Sequence, residues 1–174
     1  MVAWLAGQED LVQAFREGRD VYSEFASEVY GRPITKADKV ERFVGKTCIL
    51  GLGYGMGAEK FRRTLEIGQA GISVKIDISE ADRIVRLYRQ KNFKITQLWN
   101  ECGSALTTMV QGGTGRIRGI LPYGGNKVEL PSKLHLTYPL LRPTTNGFEY
   151  VADARTYTKA VTDPTASIPY TKIY

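Results

Sequence analysis

Cysteine is scarce in this sequence, with two among 174 residues, Cys48 and Cys102. That excludes a disulfide-built secreted scaffold and fits a reducing compartment. Histidine is scarcer still: His135 stands alone, so a His-based metal centre would lack its second ligand. No apolar run approaches the roughly 20 residues needed to cross a bilayer. The opening Met1-Val2-Ala3-Trp4-Leu5-Ala6 is too short for a signal peptide and has no basic leader. A large excess of one charge is also missing. Twenty-four Lys and Arg against eighteen Asp and Glu leave +6, which suits a polyanionic partner without establishing one. What is present is ordinary for a folded chain. A hydrophobic fraction of 43% and an aromatic fraction of 10% supply a core for one domain or two small lobes.

Both ends read as cuts in a longer chain. Val2 to Ala6 is apolar from the start, and Gly7-Gln8-Glu9-Asp10 follows like the close of an element. Ser167 to Tyr174 alternates apolar and polar residues and has no polar tail, which a terminal strand tied into a sheet would also explain.

Residues 8 to 32 read as short helices. Asp20 caps one that carries Tyr22, Phe25, Ala26 and Val29 and stops at Gly31-Arg32-Pro33. Thr35, with Asp38 three residues on, is the expected cap of a helix from Lys36 to about Leu52, packing through Val40, Phe43, Val44, Thr47, Cys48 and Leu52. Gly51, Gly53, Gly55 and Gly57 then predict a turn or distorted helix end. A third helix spans Ala58 to Leu65 and closes near Gly68 to Gly71, with Ile72 to Ile76 extended or a linker. Ser79 is the expected cap of two helices, or one kinked near Lys91-Asn92, that run to Val110. Trp99 and Met109 are core positions there, and both cysteines read as buried thiols.

After Gly115 the pattern changes to short strands at 116–121, 127–130, 133–138, 147–152 and 155–158, with Asn146-Gly147 a hairpin marker. The expected fold class is therefore α+β: a helical region over 1–115, then a small antiparallel β-rich lobe over 116–174.

One constellation carries chemistry. Arg42, Lys46, Leu50 and Tyr54 stand four residues apart each time, and Gly55 follows. A step of four on a helix advances only about 40°, so these side chains form one slanting stripe. Arg42 and Lys46, one turn apart, can hold a phosphate chain, one as a fork of donors and the other as a mobile charge. Leu50 adds apolar surface for a base or sugar, and Tyr54 a ring. From spacing alone such a stripe is common on solvated helices, and that plainer reading comes first. Neither the dinucleotide fingerprint nor the phosphate loop is met, since Met56 stands where the first needs glycine and the glycines follow Lys46-Thr47 rather than precede it.

The whole stretch from Glu41 to Gly57, ERFVGKTCILGLGYGMG, resembles the B motif of family A DNA polymerases, the bacterial polymerase I and T7-like phage enzymes. That motif is Arg-x3-Lys-x3-(Phe or Tyr)-x3-Tyr-Gly, and Arg42, Lys46, Tyr54 and Gly55 match it in place. Val2 to Gly7 looks like the tail of motif A. Asp20 to Ser27 resembles the helix between motifs A and B, and the C-terminal part looks like a phage-type insertion. The resemblance implies a fingers helix closing over the incoming deoxynucleoside triphosphate. Arg42 and Lys46 would contact the triphosphate, with Lys46 the catalytic donor near the leaving pyrophosphate. Tyr54 would occupy the template position, and Gly55 would give the hinge room. Leu50 departs from the pattern, which puts sugar discrimination outside the analogy.

The resemblance further implies primer–template DNA as partner, a palm on the same polypeptide, Mg²⁺ in the intact polymerase, and the cytoplasm of a bacterial or phage-infected cell. The motif A Asp would lie just before Met1 and the motif C carboxylates beyond Tyr174, so this chain is expected to hold no metal and to be inactive alone. Asp77, Asp82, Asp153 and Asp163 match no catalytic motif. Arg116 and Arg118, alternating with Ile117, are candidates for DNA backbone contact on one side of a strand. Arg62, Arg63, Arg83, Arg86, Arg89, Lys91 and Lys94 are either a DNA-facing surface or a solvated one. Tyr22 either lines the nucleotide site or packs between helices. The competing accounts are a stand-alone DNA-binding module, a small nucleotide-binding enzyme and an inert prophage-type remnant, and surfaces meant for a palm could drive self-association.

Overall fold

The computed structural model describes residues 2–145, 147–152 and 171–173. The chain divides into two compact units, Met1–Trp99 and Asn100–Tyr174.

The first unit is helical. It contains α1 (Val2–Ala6), α2 (Glu9–Arg16), α3 (Val21–Tyr30), α4 (Lys39–Gly51), α5 (Ala58–Ile67), α6 (Ile78–Lys91) and the start of α7 (Phe93–Val110). Periodicity explains the buried faces. Ala81, Ile84, Val85 and Tyr88 recur at 3 and 4 spacing on α6 and are all buried, while Arg83, Arg86 and Arg89 face water. Phe61 and Leu65 do the same for α5, and they meet Phe25, Val29, Val44, Cys48 and Leu52 in one core. Phe25 and Tyr88 pack edge to face with ring centroids 5.5 Å apart.

Asp20 caps α3, accepting a hydrogen bond from the Ser23 amide, and Gly31 closes it in the left-handed conformation, as expected. Elsewhere the starts move. The Asp38 carboxylate accepts from the Thr35 amide and hydroxyl, and the Thr35 hydroxyl accepts from the Ala37 amide. This reciprocal pair closes a turn rather than a first helical turn, so α4 begins three residues later than the sequence suggested. Val40 is correspondingly outside the core, at 47% exposure. The cap of α6 is Asp77, which accepts from the Glu80 amide; Ser79 is already helical and donates its hydroxyl to Asp77. The long C-terminal periodicity is two helices that part at Asn92, a buried side chain that donates to the Tyr88 carbonyl. Residues 73–77 form no strand.

The second unit carries two antiparallel sheets. The first has β1 (Gly115–Ile117), β2 (Leu121–Gly124), β3 (Lys127–Glu129) and β4 (His135–Thr137) in sequence order; the second has β5 (Arg142–Thr144), β6 (Gly147–Tyr150) and β7 (Thr171–Ile173). The α+β expectation holds. In detail, the run 116–121 is two strands, because Arg118 and Gly119 both take positive φ and turn the chain back. Strand β5 was not foreseen, since Pro143 sits at its centre. It pairs Thr144 with Gly147; Asn146, the first half of the expected Asn146-Gly147 hairpin marker, lies outside the described residues. So do the 155–158 strand pattern, Asp153 and Asp163. The end of the chain does enter a sheet, through β7.

Candidate functional site

The site is built where α3 crosses α4. Those two helices touch at a glycine: a Cβ on Gly45 would stand 2.1 Å from the Tyr22 carbonyl oxygen and 3.0 Å from the Ala26 Cβ. No larger residue permits that approach, and it brings the N-terminus of α3 against the Arg42 end of the stripe. There Arg42 donates from Nε to Asp20 Oδ2 at 2.7 Å and from Nη2 to Oδ1 at 3.2 Å. Its Cζ lies 5.3 Å from the centre of the Tyr22 ring, a cation–π distance. The Arg42 hydrogen bond is the main reason the Asp20 carboxyl is held below its ordinary 3.8; the Ser23 hydroxyl and amide act in the same direction. Tyr22 thus packs against Arg42.

One turn along, Lys46 Nζ donates to Oε1 of Gln69 at 3.2 Å, from the loop between α5 and α6. Leu50 follows at 49% exposure and Tyr54 at 77%, whereas Val44, Cys48 and Leu52 behind them are all within 1% of complete burial. The stripe thus runs from half-buried Arg42 and Lys46 to exposed Leu50 and Tyr54. Its last member is not on the α-helix, however. Gly51 ends α4, and a 3-10 turn over Leu52–Tyr54 presents the ring. Gly55 follows at φ +79°, a left-handed conformation that a side chain resists.

The carboxylates of the described residues do not fit a pair of Mg²⁺ ions. Two-metal phosphoryl transfer needs acidic groups that share two ions about 4 Å apart. Asp20, the acidic group bonded to the stripe, is committed to Arg42 and Ser23. Asp77 caps α6 and Asp82 pairs with Arg86. Among the described residues no three His, Cys, Asp or Glu side chains come together in a way that could hold a metal. His135 is an exposed β4 residue facing Glu129 at 3.9 Å.

Other candidates are placed plainly. Arg62 and Arg63 pair with Glu59, Arg83 with Glu80, and Lys91 with Glu28, so most of the basic helix faces are balanced locally. Cys48 is fully buried, and burial pushes its thiol pKa upward; Cys102 is only half buried, contrary to expectation, and so is Trp99. Arg116 and Arg118 do not share a strand face. Arg116 is exposed on β1, but Arg118 is in the turn after it, its amide and guanidinium both bonded to Glu101 at 3.0 Å. Register puts different neighbours beside Arg116. It opposes Pro122, Lys127 opposes Gly124, and Glu129 opposes His135, so Arg116, Lys127, Glu129 and His135 lie on one sheet face. Asp20, Gln69 and Lys127 were missed as site residues. Asp20 was legible only as a helix cap, and nothing local marks the other two.

Residues 1–120 match the family model described as DNA polymerase family A, more than half of the chain. The chain belongs to that family. Among similar proteins, the thermostable DNA polymerase I of Thermus aquaticus is 39% identical over 67 residues, which is 38% of this chain and 8% of that protein. The corresponding enzyme of Thermus filiformis is 33% identical over 101 residues, 58% of this chain and 11% of its own length. DNA polymerase I of Chloroflexus aurantiacus is 38% identical over 58 residues, 33% of this chain and 6% of its own length. The chain therefore spans about a tenth or less of the length of the curated relatives it matches. The match covers the stripe, Asp20 and Gln69 together, and it ends before β2. No helix among the described residues is long and apolar enough to cross a membrane.

Proposed function

We propose that the helical region over 1–115 is the fingers portion of a DNA-directed DNA polymerase, and that α4 binds the incoming deoxynucleoside triphosphate. The observation that carries this is one stripe, half-buried Arg42 and Lys46 followed by exposed Leu50 and Tyr54, within the family-matched residues. Arg42 offers a guanidinium fork to the phosphates. Lys46, held only by a neutral amide, exchanges that bond for a phosphate oxygen and stabilises charge gathering on the departing pyrophosphate. Leu50 packs on base or sugar. Tyr54 covers the template position and leaves it about the left-handed Gly55. Arg116, on the same sheet face as Lys127, contacts DNA backbone; the lobe over 116–174 leads back toward a palm. Primer–template DNA is the partner. Mg²⁺ belongs to carboxylates supplied elsewhere in such a polymerase, and this chain alone binds without polymerising.

The test is an NMR titration of the isotope-labelled chain with primer–template DNA and then a deoxynucleoside triphosphate in Mg²⁺. Amide shifts concentrated at Arg42, Lys46 and Tyr54, and lost in Lys46→Ala, are expected. A well-dispersed spectrum without those shifts overturns binding by this chain. Tight duplex binding that ignores the Lys46 substitution would favour a stand-alone DNA-binding module.

A further inference from the structure

Arg42 is gripped from one side and left open on another. Nε and one hydrogen of Nη2 are committed to the two oxygens of Asp20, at 2.7 and 3.2 Å. A guanidinium has five N–H donors. Three remain, two on Nη1 and one on Nη2, with no partner among the described residues; one from each nitrogen makes up the end-on fork. Tyr22 adds its ring to the face of the same group, 5.3 Å from Cζ. Edge and face are both fixed before any ligand arrives.

Asp20 is itself fixed by a second duty. Its carboxylate accepts from the Ser23 amide at 3.4 Å and the Ser23 hydroxyl at 2.9 Å, capping α3. Gly45 then locks α3 onto α4. The grip is built from two crossing helices, unlike a surface ion pair that forms and breaks at will.

We infer that Asp20 is a positioning residue for triphosphate binding: it holds the Arg42 guanidinium side-on so that the end-on fork presents two parallel donors to phosphate oxygens. This rests on the reading of Arg42 as a phosphate contact. The sign of the effect makes it decidable. A carboxylate beside an anion site that did nothing but repel would, once removed, let the triphosphate bind more tightly. A positioning carboxylate, once removed, weakens binding, because a loose guanidinium must be ordered by the ligand.

The experiment titrates the labelled full chain with dATP and Mg²⁺ while the Arg42 Nε–Hε resonance is followed. Four proteins are compared: wild type, Arg42→Ala, Asp20→Ser and Asp20→Asn. Serine keeps an oxygen for the α3 cap but is too short to bridge Arg42, and asparagine keeps the size and cap but drops the charge. Wild type is expected to bind and Arg42→Ala to lose most of that affinity. Asp20→Ser should bind about tenfold more weakly, with its Arg42 Nε–Hε signal broadened by solvent exchange and its other amides unmoved. Asp20→Asn is expected to fall between the two and guards against a folding defect in the serine variant. Wild-type affinity or tighter in both Asp20 variants overturns the inference alone. No binding by wild type, or equal binding by Arg42→Ala, overturns the underlying reading and the inference with it.

Discussion

At the scale of single residues, what each side chain is bonded to decides its chemistry. Lys46 and Arg42 look equivalent in sequence, yet one rests on an amide and the other on a carboxylate. Lys46→Ala should weaken triphosphate binding by about 10- to 100-fold, the range for a hydrogen bond to a charged group, while Gln69→Ala leaves it within about threefold. Isothermal titration reads both. The cysteines separate in the same way. Cys48 is fully buried with its thiol pKa raised, so it should resist a thiol reagent in the native chain, whereas half-buried Cys102 reacts slowly and both react at once in denaturant. Acid sensitivity follows from the lowered carboxyls. Arg42 depresses Asp20, the Ser79 hydroxyl depresses the α6 cap Asp77, and Arg118 depresses Glu101. A depressed folded-state pKa contributes stability that is present above the unfolded value and is lost as pH falls through the folded one. The melting temperature should therefore be level from neutral pH down to about 5 and drop below about 4.

At the scale of elements, the α3–α4 crossing carries the site, and it depends on one missing side chain. Gly45→Ala places a methyl 2.1 Å from a backbone oxygen, which no rotamer change relieves. A cost of about 1–3 kcal/mol is expected, with loss of triphosphate shifts at Arg42, because the helices must separate. Urea unfolding and the same titration would show whether both effects travel together. Phe61→Ala, at the centre of the core and fully buried, should cost about 3–5 kcal/mol without acting on the stripe directly. The elements themselves were largely legible. Period 3.6 located α5, α6 and α7, because each buries a single face. Starts were less legible: Thr35 and Asp38 before α4, and Asp77 and Ser79 before α6, each offer a side-chain oxygen, and only the path of the preceding backbone decides which of the two begins the helix.

At the scale of the whole molecule, the charge of +6 is not a uniform coat. Local pairing with Glu59, Glu80, Asp82 and Glu28 neutralises most of the helix arginines and lysines nearby. Duplex binding should fall steeply with salt. Arg116→Ala is expected to lower the slope of log affinity on log salt by about 0.9, the counterion released per phosphate contact. Arg118→Ala should leave that slope nearly unchanged and instead loosen the turn held by Glu101. Fluorescence anisotropy across a salt series distinguishes the two.

The sequence by itself determined the family, the stripe on α4 and the alternation from helices to short strands. These depend on residue type and spacing along one chain, which a local period records. Tertiary structure alone decided that Asp20 grips Arg42, that Gln69 reaches Lys46, and that Arg116 shares a sheet face with Lys127 rather than with Arg118. Each of those pairs joins segments 11 to 23 residues apart, through a helix crossing, a loop closure and a strand register. Partners brought together by packing leave no periodic mark on the chain that carries them.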